Sequence, residues 1–228
     1  MNRRIGLLTI GQSPRIDVVP EIASFLGEEY EIIEAGALDG LSKNEIAKLA
    51  PKVGETVYVS RLRDGSEVRL SKERIIPLLQ DKIEFLEKCG ANVIGLLCSG
   101  IFPDFKSRVP LVKPEPILRG IVKSMSSPNM VLGIIMPNPV QISFAREKWS
   151  NIKCKSMVID SISPYAIEEH KIIKLKIIAR RFRDLDVNVV VMDCIGFSIN
   201  DAKLLKSELN VPILIPRLAL ALALKSII

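Results

Sequence analysis

Two of the four cysteines in this 228-residue chain occupy the same local pattern and could act together as acid/base groups. Cys98-Ser99-Gly100 and Cys194-Ile195-Gly196 each follow a run of branched apolar residues, as at the end of a buried parallel strand. The small or apolar residue and the glycine leave room for a ligand, and nearby backbone N–H groups lower the pKa of a thiol. A thiolate that removes a proton and a thiol that supplies one on the opposite face would together invert a stereocentre.

This chemistry sets a distance between the two sulfurs. A reacting carbon that lies ~3.5 Å from each sulfur predicts a separation of roughly 7 Å, which is too long for a disulfide. The alternative interpretation is that both cysteines only fill buried strand ends, where cysteine is common. Cys89 and Cys154 lack the pattern and are interpreted as ordinary thiols.

The composition argues against several other kinds of site. There is no C-x-x-C pair, and His170 is the only imidazole, so a zinc site of ordinary ligand spacing is not expected. A Ser-His-Asp triad would need His170, which is expected to be exposed at a helix start, and no G-x-S-x-G elbow accompanies it. We therefore expect no metal site.

A weak internal repeat places the two cysteines in equivalent positions. Arg4–Ile10 resembles Val131–Pro137, and Asn92–Gly100 resembles Asn188–Gly196. The two copies predict two similar lobes, and ligands of parallel α/β sheets bind at the carboxyl ends of the strands. We therefore expect the two Cys-x-Gly segments to face a common cleft.

The elements that position these residues alternate between strand-like and helix-like patterns. Strands are predicted in short apolar runs at residues 4–10, 31–34, 93–97, 131–136, 156–159, 187–192 and 213–215. Most of these runs are continuous, which is typical of parallel strands covered on both faces. Helices are predicted at residues 18–26, 43–49, 72–89, 141–149, 164–184, 201–209 and 217–227. The predicted fold class is therefore α/β with two pseudo-symmetric parallel-sheet lobes.

One segment interrupts this alternation. Asp64-Gly65, between two apolar runs, predicts an inserted β-hairpin in the first lobe, near residues 57–70. The predicted divisions are a first lobe at 1–112, a second lobe at 113–212, and a C-terminal strand and helix at 213–228 that pack back on the first lobe.

Residues in the loops after strands are candidates for holding a ligand. The predicted substrate-binding set is Gln12, Ser13, Arg15, Ser99, Gly100, Asn138, Gln141, Ile195 and Gly196. Arg15 could form a bidentate pair with a substrate carboxylate, the alternative being a surface arginine beside a capped helix start. Asp193 is expected to be hydrogen-bonded, and it either holds the loop or tunes the Cys194 thiol. Trp149 is expected to be a packing residue.

The net charge of +6 suits a small anionic ligand. Six basic residues between Lys171 and Arg183 flank an apolar stripe at helical spacing, and no stacking aromatics are interleaved. This pattern favours a solvated helix face over a nucleic-acid surface. No apolar run reaches the ~20 residues of a membrane span, and free thiols without a secretion signal indicate the cytoplasm. A homo-oligomer is compatible with the sequence.

Three segments together carry a resemblance to a known family. Ile5–Arg15, the central hairpin and Val191–Phe197 resemble the AroM family over nearly the whole chain. That family is similar in fold to the aspartate/glutamate racemase superfamily, whose members use one or two strand-end cysteines without a cofactor. The resemblance implies a racemase-like, two-lobed fold in which Cys98 and Cys194 stand at the matching positions.

The resemblance also bears on the substrate. Cys-x-Gly is closer to the hydantoin racemase pattern than to the Cys-Thr-His of amino-acid racemases. The resemblance implies a cofactor-independent racemase or isomerase that acts on a small carboxylate or carbonyl compound. The alternative is a non-catalytic binding or regulatory protein that holds a small carboxylate in the same cleft.

Overall fold

The computed structural model describes residues 3–227, which form two compact α/β units. The first unit contains the residues up to Pro114 together with those from Leu220 onward, and the second contains Glu115–Ala219. No helix within residues 3–227 is long and apolar enough to cross a lipid bilayer.

The first unit is built on a four-stranded parallel sheet with the order β2-β1-β5-β6. Its elements in chain order are β1 (Arg3–Thr9), α1 (Val19–Leu26), β2 (Tyr30–Gly36), α2 (Lys43–Lys48), β3 (Val57–Arg61), β4 (Glu67–Ser71), α3 (Lys72–Lys88), β5 (Val93–Leu97) and β6 (Leu111–Val112). Strands β1 and β5 are central and buried along most of their length, as their continuous apolar sequences predict.

The second unit is built on a second parallel sheet with the order β10-β9-β7-β8. Its elements are α4 (Pro114–Ser124), β7 (Val131–Met136), a 3₁₀ turn (Pro139–Gln141), α5 (Ile142–Lys148), β8 (Ser156–Ser161), α6 (Glu168–Asp184), β9 (Val189–Met192), α7 (Ile199–Leu209), β10 (Ile213–Leu214) and α8 (Pro216–Ile227). Helix α8 runs from the second unit into the first.

The two sheets have the same strand order. Read from one edge, β2-β1-β5-β6 corresponds to β8-β7-β9-β10, with the first strand of each sequence repeat second and the strand that leads to Cys98 or Cys194 third. This confirms the predicted α/β class with two parallel sheets. The repeat detected in the sequence is therefore a repeat of topology.

A glycine in each copy of the repeat explains how helices pack on these sheets. A Cβ on Gly133 in β7 would lie 2.7 Å from the ring of Phe182 on α6. A Cβ on Gly6 in β1 would lie 3.2 Å from Leu86 on α3. Each glycine therefore allows a large side chain from the covering helix to approach the strand.

The predicted hairpin is present as the antiparallel pair β3-β4 in the first unit. Gly65 has a φ of +88°, which a glycine adopts without strain, and its N–H donates to the carbonyl of Leu62 at 3.0 Å. The Asp64-Gly65 signal therefore marks a real turn.

The C-terminal segment is divided between the units, contrary to the expectation that residues 213–228 pack together on the first lobe. Strand β10 pairs in parallel with β9 of the second sheet. The residues from Leu220 onward belong to the first unit, where Leu224 and Leu220 contact the position of Gly95 in β5. The strand stays with the second sheet because the backbone of β9 offers it hydrogen-bond partners.

The basic side chains of α6 lie mainly on a solvated face, but Lys171 does not. Lys171 is 7% exposed and its Nζ lies 2.9 Å from both Asp201 and Glu168. Burial acts to lower the pKa of Lys171, but the hydrogen bonds and charges of the two carboxylates outweigh it and raise the pKa above its ordinary value. Lys171 is therefore an internal ion-pair residue, which corrects its assignment to the solvated face.

Candidate functional site

The Cys98 turn follows β5 directly and bends its backbone back onto the sulfur. Cys98 is 9% exposed, and the backbone N–H of Gly100 donates to its Sγ at 3.5 Å. Ser99, between them, is buried. No helix follows this turn before residue 114, so the Gly100 N–H belongs to the turn itself and not to a helix N-terminus.

The Cys194 turn repeats this geometry after β9. Cys194 is 6% exposed, and the backbone N–H of Gly196 donates to its Sγ at 3.4 Å. Helix α7 starts at Ile199, a few residues further on, with Ser198 as its cap. Partial positive charge at a helix N-terminus and an N–H aimed at sulfur both favour the anionic form of a thiol.

Neighbouring loops emerge beside each turn. In the first unit Thr9 and Leu97 are register partners, so the loop that carries Gln12 and Ser13 starts beside the Cys98 turn. In the second unit Ile135 and Met192 are register partners. The loop with Asn138 and Gln141 therefore starts beside the Cys194 turn, and each unit brings its own predicted site residues to one sheet edge.

The hairpin packs against these first-unit loops. A Cβ on Gly100 would lie 2.5 Å from the Tyr58 ring, and one on Gly11 would lie 2.3 Å from Ser60 Oγ. The Tyr58 hydroxyl donates to the carbonyl of Ile101 at 2.6 Å. The two glycines are thus required by the close approach of β3 to both loops.

Gln12 and Ser13 are bound to the hairpin and to the loop after β2. Gln12 Oε1 accepts the backbone N–H of Arg63 at 2.8 Å, and Arg63 Nε donates to the Ser13 carbonyl at 2.8 Å. The N–H and hydroxyl of Ser13 both donate to the carboxylate of Asp39. Their backbone and part of their side-chain capacity is therefore used in holding the loop.

Arg15 makes its bidentate pair inside the protein. It is 2% exposed, its Nε and Nη2 donate to the two oxygens of Asp17 at 2.9 and 2.8 Å, and its Nη1 donates to Thr9. Arg15 is therefore not the surface arginine that was the alternative prediction. The fork expected to hold a substrate carboxylate is occupied by Asp17, which makes Arg15 a buried anchor of the loop.

The pKa values of two carboxyl groups beside Arg15, those of Asp17 and Glu34, are shifted in opposite directions. Burial acts to raise the pKa of Asp17, but the hydrogen bonds and charge of Arg15 outweigh it and hold the pKa below its ordinary value. Burial raises the pKa of Glu34, although its Oε2 accepts the Arg15 backbone N–H at 2.7 Å. The partner that takes the guanidinium keeps its charge most strongly.

The equivalent loop of the second unit has a capping role. Asn138 is 5% exposed, and its Oδ1 accepts the N–H of Val140 at 3.2 Å at the start of the 3₁₀ turn. Gln141 is buried at the end of that turn. Both predicted residues are therefore internal, beside the start of the Cys194 turn.

Asp193 is held by two residues of α5 and its end. Both its oxygens accept from Lys148 Nζ at 2.8 Å, and Oδ2 accepts Trp149 Nε1 at 2.9 Å. The expected hydrogen bonding of Asp193 is present, and Trp149 combines full burial with a hydrogen bond. Lys148 was not predicted to belong to the site. Its only signal in the sequence was its position three residues after Ala145, a spacing that places both residues on the same face of a helix.

Arg217 is a further residue that the sequence analysis did not select. It is 1% exposed, and it donates from Nε to the Ile195 carbonyl at 3.1 Å and from Nη2 to the Gly196 carbonyl at 2.8 Å. A buried guanidinium therefore grips the Cys194 turn. Its sequence signal was a single charge at the start of the apolar C-terminal helix.

The remaining cysteines and the histidine lie outside the two Cys-x-Gly turns. Within residues 3–227, no cluster of three or more His, Cys, Asp or Glu side chains could hold a metal ion. Cys89 and Cys154 are half-buried free thiols, and burial raises the pKa of Cys154. His170 is exposed.

Comparisons with known proteins agree with this architecture. Residues 5–228 match the family model described as AroM protein. No curated protein sequence matches the chain significantly.

Solved structures give the fold. Similar ones include allantoin racemase from Klebsiella pneumoniae, with a TM-score of 0.64, 14% identity, and coverage of 99% of this chain and 87% of that one. Maleate isomerase from Pseudomonas putida S16 has a TM-score of 0.63 and 13% identity, with coverage of 99% of this chain and 92% of that one. Glutamate racemase from Aquifex pyrophilus has a TM-score of 0.58 and 16% identity, with coverage of 99% of this chain and 84% of that one. The chain therefore shares its overall fold with these three proteins.

Proposed function

The chain belongs to the AroM family, and from that premise and its fold we propose that it is a cofactor-independent racemase or isomerase in which Cys98 and Cys194 are the acid/base groups. The observation that carries the proposal is the repeated turn. In each unit a backbone N–H two residues on donates to the cysteine sulfur, at 3.5 Å for Cys98 and 3.4 Å for Cys194. The same donor in both copies of the repeat supports the same role for both cysteines.

The reaction moves one proton off a carbon and one proton on. The thiolate of one cysteine takes the hydrogen from a carbon next to a carbonyl, and the electron pair moves into that carbonyl as an enolate. The S–H of the other cysteine then protonates the opposite face of the carbon. The two sulfurs exchange protonation states in each turnover, so the protein needs no external base.

The proposed substrate is a small carboxylate or carbonyl compound. The proteins of similar structure are an allantoin racemase, a maleate isomerase and a glutamate racemase. Their named substrates all carry carbonyl or carboxyl groups, and the net charge of +6 favours an anion. The Cys-x-Gly pattern instead favours a hydantoin-like compound such as allantoin, which is uncharged at neutral pH, so both anionic and neutral carbonyl compounds are candidates.

Residues beside the two turns are proposed to hold the substrate. They are Gln12, Ser13, Ser99, Gly100, Asn138, Gln141, Ile195 and Gly196, with Asp193 supporting Cys194. Arg15 is proposed to act indirectly, by holding the loop through Asp17. The cytoplasm is the proposed location because its reducing conditions keep the thiols free.

The test follows hydrogen exchange from solvent. Allantoin, glutamate and aspartate are incubated with the protein in D₂O, and deuterium incorporation and conversion are followed by NMR and chiral chromatography. We expect conversion of at least one compound, with deuterium at the reacting carbon. We expect Cys98→Ser and Cys194→Ala each to abolish conversion, because inversion needs a base on one face and an acid on the other.

The matched controls are Cys89→Ser and Cys154→Ser, which should convert substrate at the wild-type rate. Full conversion by Cys194→Ala would overturn the proposed mechanism. Thermal stabilisation by a carboxylate without any exchange would instead support the non-catalytic binding function.

A further inference from the structure

We infer that Tyr58 and Arg217 are positioning residues, each of which holds one Cys-x-Gly turn in the geometry that its thiol needs. The inference rests on the proposed roles of Cys98 and Cys194. The turn geometry itself can be measured without a substrate, so the two proposals can fail separately.

Tyr58 acts on the Cys98 turn from the hairpin. Its ring lies against Gly100, the residue whose N–H donates to Cys98 Sγ, and its hydroxyl donates to the next carbonyl, Ile101, at 2.6 Å. Tyr58 is 2% exposed and contacts Phe102 with ring centroids 5.0 Å apart. A rigid, buried side chain thus restrains Gly100 with its ring and the chain one residue further on, at the Ile101 carbonyl, with its hydroxyl.

Arg217 acts on the Cys194 turn from the start of α8. Its Nε and Nη2 hold the carbonyls of Ile195 and Gly196, which flank the N–H that donates to Cys194 Sγ. The Ile195 carbonyl belongs to the same peptide as the donating Gly196 N–H, and the Gly196 carbonyl belongs to the next peptide, so both of these peptides are restrained. The anchor is a charged donor, whereas the first turn has a neutral hydroxyl.

The physical consequence concerns the sulfur. Arg217 holds the carbonyl of the peptide that carries the donating N–H, whereas Tyr58 holds the donor residue Gly100 with its ring and the chain just after it with its hydroxyl. Both contacts restrain the direction of the donor, and an N–H aimed at sulfur stabilises the thiolate relative to the thiol. Removal of the anchor lets the turn relax, and this stabilisation decreases. Because hydrogen bonds from charged donors are stronger than those from neutral ones, Arg217 should have the larger effect.

The test measures alkylation of each cysteine as a function of pH. Wild-type protein, Tyr58→Phe and Arg217→Lys are treated with iodoacetamide, and the modified fraction of every cysteine is determined separately by peptide mass spectrometry. Phenylalanine keeps the ring on Gly100 but removes the hydroxyl. Lysine keeps the charge but cannot hold two carbonyls with a fixed fork.

Each variant is the control for the other. In Tyr58→Phe the pH midpoint for Cys98 should rise by about half a unit, which corresponds to about threefold lower reactivity at neutral pH, while Cys194 stays unchanged. In Arg217→Lys the midpoint for Cys194 should rise by about one unit, about tenfold, while Cys98 stays unchanged. Cys89 and Cys154 serve as internal references in both proteins.

The midpoint separates a positioning effect from a change in access. Loosened packing would raise the alkylation rate at every pH without moving the midpoint. An unmoved midpoint at the matching cysteine, or equal movement at all four cysteines, would overturn the inference. If Arg217→Lys does not fold, Tyr58→Phe decides the question, because it removes only one oxygen from the hairpin.

Discussion

Replacement of Asp193 by Asn should destabilise the second unit by about 3–5 kcal/mol, because it leaves the Lys148 ammonium buried without its counter-charge. The side chains of Lys148 and Asp193 are 2% and 0% exposed. Lys148 Nζ donates to both carboxylate oxygens at 2.8 Å, and water has no access that would replace them. Asparagine keeps an acceptor for Trp149 but loses the charge and one acceptor oxygen.

The buried pair can be separated from its environment by a double-mutant cycle. Lys148→Met alone should cost a similar amount, because it leaves the Asp193 carboxylate unpaired. The double variant should lose at least about 2 kcal/mol less than the sum of the two single variants. The same substitution at an exposed pair, Asp104→Asn, is the matched control, since Asp104 is fully exposed beside Lys113 and should show no measurable change.

The protein carries a suitable probe for this measurement. Trp149 is the only tryptophan, it is fully buried, and it contacts Asp193 directly. Its fluorescence during urea unfolding therefore reports on the second unit. If Asp193→Asn unfolds at the same urea concentration as Asp104→Asn, or if the two single effects add, the assignment of a tightly coupled buried pair is refuted.

Two further predictions concern packing and pH. Gly133→Ala should destabilise the second unit by about 1–3 kcal/mol, because the new methyl would meet the Phe182 ring at 2.7 Å. Gly120→Ala, in a helix with nothing within 4 Å, should instead stabilise the unit by up to about 1 kcal/mol. Equal urea midpoints for the two variants, followed by Trp149 fluorescence, would contradict this prediction. Because the folded-state pKa of Asp17 is lowered, the contribution of its pair with Arg15 is present near neutral pH and is lost as the pH falls below about 4. Asp17→Asn should therefore be less stable at neutral pH and show a shallower loss of stability in acid, measured by thermal unfolding against pH; parallel pH profiles for wild type and variant would count against this role of the pair.

Local patterns in the sequence predicted several elements correctly, and the reason is that their determinants are local. Continuous apolar runs indicated buried parallel strands such as β5 and β9, and Asp64-Gly65 indicated the hairpin turn. Helix α4 was not predicted, because Pro114 and Pro116 interrupt the apolar period even though proline is tolerated in a first helical turn. The two-residue strand β6 is too short to show any period.

The partners of buried charges could not be read in this way. Arg15 was expected to meet a ligand, but it meets Asp17, and Lys171 was expected in solvent, but it meets Asp201. For both residues the expectation was wrong only about which group the charged end contacts. That partner depends on how neighbouring elements pack.

The residue types, the order of the elements and the repeated Cys-x-Gly pattern are properties of the chain that local propensity and periodicity express directly. The anchors of the two turns are different in kind. Tyr58 lies 40 residues before Cys98 and Arg217 lies 23 residues after Cys194, so no local pattern connects them. Each anchor reaches its own turn only because, within its unit, a hairpin or a helix packs over the carboxyl ends of the strands. The contact gives hydrogen-bond donors to buried carbonyls that would otherwise have none.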